Sequence, residues 1–341
     1  MFEEPDQDEI LIQSTKEPLV EIFQHKGSSE CNVDLNDPLC NFEQLPYKDF
    51  RSKFQNDLSS SPDSSFVREA LGKGLLSQDR QSINPLKFGV IASTDTHLGT
   101  PGAVDESSFQ GHGGAGKSFR SSIPEGLPDD IEFNPGGLAV AWAEENSRSA
   151  IFDAFQRKEV YGTSGPRFIV RFFVGDNLDK NLCKNPDNIS YAYANATPMG
   201  GTIASDSLSQ PSIFISASAD SSIKDQFIEK LQVVKGVVRN GELLTTVHDV
   251  GVTNAQSKLD IANCEVTGSG EKAMCSVWND PNFNSSENAY YYVRVVANKS
   301  CRWSHNLCLQ NPEYCEADSD ASIPKVIQER AWTSPIWLET T

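Results

Sequence analysis

Asp95-Thr96-His97 closes the apolar run "KFGVIAST" and sets a carboxylate and an imidazole two residues apart. Groups at that spacing on an extended chain point to one side, so both can reach one metal ion. Glu21 lies inside a second apolar run, "LVEIF". An ionised carboxylate there must be neutralised, ion-paired or metal-bound. His25 and Lys26 follow that run directly. A divalent metal shared by Glu21, Asp95 and His97, with His25 as a fourth candidate, accounts for all of these residues. The plainer alternative pairs a partly exposed Glu21 with Lys26 and leaves His97 as a strand cap. Carboxylate and imidazole ligands suit Zn, Mn or Fe.

A second stretch, "GHGGAGKS" from Gly111 to Ser118, fits the nucleotide-binding pattern G-x-x-x-x-G-K-[ST]. That pattern works only between a buried strand and a helix N-terminus, which together cradle phosphates. Here "TPGAVDESSFQ" precedes it, and Pro124, Gly126 and Pro128 follow within a few residues. Neither flank supplies the required element. The stretch reads as part of a long Gly/Pro-rich loop over residues 98–136, and loops of that length in a compact domain are commonly binding loops or lids.

The elements that position these residues follow from periodicity. "EPLVEIF" is a buried strand ended near Gly27, and "KFGVIAST" is a second. "SFVREALGKGLLSQ" predicts a helix stopped by Gly72 or Gly74, and the polar stretch before it a short helix around Pro46–Leu58. "NSRSAIFDAFQRKEVYG" predicts a helix capped by Asn146 or Ser147, with Ile151, Ala154 and Phe155 on one face, stopped by Gly162. Beyond about residue 165 the texture is β-rich, with a hairpin turn at Asn240-Gly241. The first part therefore alternates strand and helix, and the second is antiparallel β.

With 341 residues the chain is long enough for two domains. Its net charge of −18 repels nucleic-acid backbones and anionic lipid, so neither is an expected partner; a small-molecule substrate is. No stretch is long and apolar enough to span a membrane as a helix. The eight cysteines include no C-x-x-C pair. The short spacings 31/40 and 264/275, with three more within 301–315, suit disulfides of an oxidising compartment, periplasmic or secreted. Reduced, buried thiols in a cytoplasmic enzyme are the alternative. The acidic N-terminus does not read as a signal peptide, so the oxidising reading expects a longer precursor.

The blocks "EIFQHKGSSEC", "FGVIASTDTHLGTPGAVDE", "GHGGAG", "GGLAVAWAEENSRSAIFDAFQRKEVYGTSGPR", "LQVVKG", "YYYVRV" and "ERAWTSPIW" closely resemble the family catalogued as domain of unknown function 3604. That family is grouped with the polymerase-and-histidinol-phosphatase (PHP) metallohydrolases. The resemblance implies an α/β fold: a partial, distorted β/α barrel of the PHP type over residues 1–165, then a β-rich, sandwich-like domain over 166–341. It implies a cluster of divalent metals, with Glu21 at the position of the bridging carboxylate and Asp95 and His97 as the D-x-H motif and catalytic centre. His25 is a further ligand or outer partner. Lys26, His112 and Lys117 are candidate substrate contacts, and "GHGGAGKS" becomes the loop after D-x-H.

PHP proteins begin with an H-x-H strand, and no such motif precedes Glu21. The chain is therefore expected to be the C-terminal part of a longer protein, with an N-terminal segment as its possible partner. Two functions follow: a metal-dependent hydrolase of a phosphoester, amide, ester or carbamate bond, incomplete in this chain, or a non-catalytic fragment that binds through its β-rich domain.

Overall fold

The computed structural model describes residues 12, 14–33, 37–44, 66–97, 99–109, 133–254, 256–310, 312 and 324–340. The chain runs through β1 (Leu19–Gln24), β2 (Gly27–Ser28), α1 (Val67–Gln81) and β3 (Gly89–Ala92), then β4 (Leu138–Ala141), α2 (Arg148–Gln156) and β5 (Val160–Thr163). Next come β6 (Ile169–Asp176), α3 (Asn188–Asn195), β7 (Ala196–Pro198), β8 (Thr202–Ala204) and β9 (Pro211–Ser218). The longest strands follow as β10 (Ile228–Arg239), β11 (Glu242–Val252), β12 (Ser257–Asp260), β13 (Glu265–Gly268), β14 (Ala273–Asn279) and β15 (Ala289–Cys301). The last elements are α4 (Trp303–Gln310), β16 (Val326–Thr333) and β17 (Ile336–Glu339).

The fold is mixed α/β and strand-rich, with several sheets. An eight-stranded sheet runs in the order β11-β10-β15-β16-β5-β4, with β17 paired to β15 and β8 paired to β17. Period-two alternation gives its central strands two buried faces. From β15, Tyr291, Val293 and Val295 enter one core, with Leu231 and Val233 of β10 and Phe172, Ile213 and Ile215 of the four-stranded sheet β14-β9-β6-β7. Tyr290 and Tyr292 enter the opposite core, with Val234, Ile22, Phe23, Leu71 and Trp332. The large sheet is thus the middle of three layers. The four-stranded sheet covers one face; α1 and the small sheet β2-β1-β3 cover the other. The boundary expected near residue 165 falls between β5 and β6, and side chains from both sides of it share the second core.

No barrel closes among the described residues. In the first part β1 and β3 are parallel neighbours, as the start of a barrel would have them. The next candidate, β5, has both edges taken by β4 and β16. It crosses against β3 without pairing, and a Cβ on Gly162 would sit 2.8 Å from the Ala92 nitrogen. The outward Val90 N–H is met by the Ser334 hydroxyl at 2.8 Å instead of by a further strand.

Two expected stops lie elsewhere. Helix α1 runs through Gly72 and Gly74 and ends where Ser82 turns left-handed at φ 59. The glycines are packing devices: a Cβ on Gly72 would lie 2.0 Å from Leu243 Cδ2, and one on Gly74 2.2 Å from Asn84 Oδ1. Helix α2 starts as expected, with the Ser147 hydroxyl accepting from the Ala150 N–H. It ends at Gln156, with Arg157 as the C-cap, before Lys158 adopts φ 61, and Gly162 belongs to β5. The Asn240-Gly241 turn has φ 54 and 77, as a two-residue hairpin between right-twisted strands requires. The short helix expected around Pro46–Leu58 falls outside the described residues.

Three disulfides form among the described residues. Cys31–Cys40 is the short loop expected from sequence. The expected 264/275 pair does not form. Cys264, at the β12–β13 turn, joins Cys301 at the end of β15, and Cys275 on β14 joins Cys183 in the core beneath α3. Sequence proximity failed because the sheet order carries each cysteine to a different layer.

Candidate functional site

The parallel pairing of β1 with β3 puts their C-terminal ends side by side. Open α/β sheets and barrels alike place chemistry at that edge, where loops leave the strands. His25 and Lys26 are the two-residue turn between β1 and β2, fixed by the pairing of Gln24 with Gly27 and by φ 97 at Gly27. Asp95 and His97 follow β3. Asp95 itself is left-handed, at φ 52. A carboxylate residue held in that conformation without a glycine is uncommon and is a recurrent feature of functional sites.

Four of the predicted side chains meet. Asp95 Oδ2 lies 3.5 Å from His25 Nε2 and 3.5 Å from Lys26 Nζ. The rings of His25 and His97 stack with centroids 6.1 Å apart. His25 is 1% exposed, and beyond its approach to Asp95 neither ring nitrogen has a hydrogen-bond partner. Burial lowers its pKa to about 4, against the opposing pull of the Asp95 charge, so the imidazole is neutral at physiological pH. Buried polar groups are nearly always satisfied, and two orphaned nitrogens on one ring ask for a partner.

Glu21 stands one step away. Its Oε1 accepts from the Ser93 hydroxyl and its Oε2 from Gln24 Nε2 at 3.0 Å. Ser93 Oγ also accepts the Asp95 N–H at 3.4 Å, so one hydroxyl ties the strand carboxylate to the D-x-H turn. Lys26 pairs with Asp95 and not with Glu21, which sets aside the plainer pairing considered from sequence.

The segment Phe133–Gly137 completes the surround. The Asn134 N–H donates to the His25 carbonyl at 2.8 Å, and the Phe133 ring packs 5.2 Å from the imidazole. Gly136, at φ 87, comes so close that a Cβ would lie 2.6 Å from the Thr94 Cα. Sequence reading missed Ser93, Phe133 and Asn134. The one available signal was the "NPGG" stretch, whose paired glycines permit a close backbone approach.

The donor set of imidazole and carboxylate, with a buried, neutral and unpartnered His25, fits a transition-metal ligand. The fit is partial. Two groups of three potential ligands draw within 4.8 Å of one another among the described residues, Cys264/Cys301/His305 and Cys31/Asp37/Cys40. Their sulfurs are held in disulfides, and Glu21, His25, Asp95 and His97 do not draw together that tightly. His112, Lys117 and the whole "GHGGAGKS" stretch lie outside the described residues.

No curated protein and no solved structure matches the chain. A family model described as "Protein of unknown function (DUF3604)" matches residues 2–340, and the chain belongs to that family.

Proposed function

We propose that this chain carries the catalytic centre of a PHP-class, metal-dependent hydrolase acting on a phosphoester, amide, ester or carbamate bond of a small molecule. The observation that carries the reading is His25: buried, neutral, unpartnered at both nitrogens and 3.5 Å from Asp95, at the C-terminal edge of two parallel strands. His25, Asp95 and His97 would hold a divalent Zn, Mn or Fe ion, with Glu21 reaching it from β1. Such an ion supplies a water of lowered pKa and polarises the scissile group.

The remaining work falls to this chain's own side chains. Asp95, set between His25 and Lys26, is placed to take and return a proton. The Lys26 ammonium offsets negative charge that develops on the substrate, and His112 and Lys117 would meet the substrate from the following loop. Ser93 and Gln24 hold the Glu21 carboxylate in one orientation, as outer partners of a metal ligand do. The three disulfides fit an oxidising compartment, and a periplasmic or secreted location belongs to the same proposal.

Elemental analysis tests this directly. The purified chain is expected to carry a stoichiometric transition metal that an Asp95→Ala/His97→Ala double variant loses. The wild type should also melt at a higher temperature with the metal restored after chelation. Absence of metal from the wild type, before and after incubation with Zn, Mn and Fe, would sink the proposal and favour the second function, a binding protein.

A further inference from the structure

A cleft of about 870 Å³ opens between the 102–109 segment, the turn at Gly165 and β16. That volume suits a small ligand, and none of Glu21, His25, Asp95 or His97 lines it. Glu106 and Glu329 are among the carboxylates that do. Glu329 is 3% exposed; its Oε2 accepts from the Ser164 hydroxyl, and no hydrogen bond reaches its Oε1. Glu106 Oε2 accepts from the Trp303 N–H, while its Oε1 is enclosed and has no partner.

Among the described residues neither carboxylate is in an ion pair. The arginines whose charges act on them also hold other groups: Arg302 pairs with Glu43 at 3.1 Å, and Arg330 donates to the Leu39 carbonyl at 3.0 Å. Enclosed carboxylates without a counter-charge are costly. Burial pushes the Glu106 carboxyl up to about 8, against the pull of Arg302, and burial beside Glu106 pushes Glu329 well above its ordinary range.

The turn at Gly165 explains how oxygens gather here. At φ 145 it is a position for glycine, and a Cβ there would lie 2.9 Å from the Val104 carbonyl oxygen and 3.8 Å from Glu329 Oε1. A main-chain oxygen and a carboxylate oxygen therefore flank one small space at the cleft wall. Asp105, Asp220, Asp225 and Glu265 also line the cleft, against the cations Arg167 and Lys224, so the lining is acidic in balance.

We propose that this cleft is a second cation site, in which Glu106 and Glu329, with the Val104 carbonyl, bind a hard divalent cation, Ca²⁺ or Mg²⁺. The donors are all oxygen, which such ions require. One or two carboxylates completed by water suffice for Mg²⁺, and a larger oxygen set for Ca²⁺. The site is independent of the hydrolase reading, since it shares no residue with the His25–Asp95 centre.

The test is calorimetric titration of the full, chelator-treated chain with CaCl₂ and with MgCl₂. One equivalent of either ion should bind, and Glu106→Gln and Glu329→Gln should each weaken binding about tenfold or more, the scale for loss of a supporting metal contact. Asp95→Ala should bind as the wild type does, which separates this site from the transition-metal one. Terbium luminescence gives a readout on the unmodified chain. Tb³⁺ should be sensitised through Trp303, whose backbone N–H bonds Glu106, and Ca²⁺ should quench the signal by displacement. No binding heat and no sensitised emission from the wild type would overturn the proposal, as would binding that both Gln variants retain.

Discussion

Glu30 shows what a buried charge requires when no water is available. It is 2% exposed and accepts from Arg68 at 2.7 Å, Arg294 at 2.9 Å, Tyr292 at 2.7 Å and the Trp332 indole at 2.7 Å. Asp37 adds a second carboxylate, 2.9 Å from Arg294 and 3.0 Å from Arg68. Despite burial, the surrounding arginines, Arg294 first, hold both carboxyls below their ordinary range. Replacing Arg294 by Met would leave two carboxylates short of a partner and should cost about 3–5 kcal/mol in urea unfolding at pH 7. The pH dependence has a definite sign. Carboxyls with depressed native pKa values contribute stability that is present above the unfolded values, 4.5 for Glu30 and 3.8 for Asp37, and is lost progressively as pH falls through these toward the native values. The Arg294→Met penalty should therefore shrink from pH 7 to pH 3; a penalty that stays constant over that range would show that lost packing, not charge, is the cause.

At the scale of elements, glycine is the residue whose role changes with context. In an exposed helix, Gly→Ala gains about 1 kcal/mol. At Gly72 the same change should lose stability instead, by about 1–3 kcal/mol, because the new methyl meets Leu243 of β11. Thermal melting of Gly72→Ala distinguishes the two, and a raised melting temperature would refute the close packing of α1 on the large sheet. The β1–β2 turn works by the same logic on the functional side. Its hairpin register carries His25 and Lys26 to Asp95, so a site that looks like four scattered residues is the joint end of two strands. On the proposed function, Asp95→Ala should leave the fold intact while it removes metal and metal-dependent turnover; far-UV circular dichroism beside metal analysis would reveal a variant that loses both together.

Over the whole molecule the eight-stranded sheet is shared property. Its β10 and β15 give alternate residues to two cores, and the second core draws Ile22, Phe23, Leu71 and Val90 from the N-terminal part. Cutting the chain near residue 165 would strip one face of that sheet and leave Tyr290, Tyr292 and Trp332 exposed. A fragment of residues 166–341 should therefore fail to fold cooperatively, and the intact chain should unfold in one transition seen alike by tryptophan fluorescence and far-UV circular dichroism. Two separated transitions in the intact chain would show instead that the two parts are independent.

Local physics made much of this legible from sequence. Short apolar runs marked β1 and β3, β-rich stretches marked β10 and β15, Asn146 or Ser147 marked a helix start that the structure places at Ser147, and Asn240-Gly241 marked a hairpin, because each depends on neighbours a few residues away. The motif residues Glu21, His25, Asp95 and His97 could be named as a set from the same runs. What the sequence by itself could not determine is whatever depends on residues far apart in the chain. The sheet order decided that Cys264 reaches Cys301 and Cys275 reaches Cys183. Tertiary contact decided that Gly72 is a packing surface and not a helix stop, and that Ser93 bridges Glu21 to Asp95. It also decided that Glu106 and Glu329, 223 residues apart by their numbering, face one cleft. Periodicity records which face of an element is buried; only the assembled layers decide what that face meets.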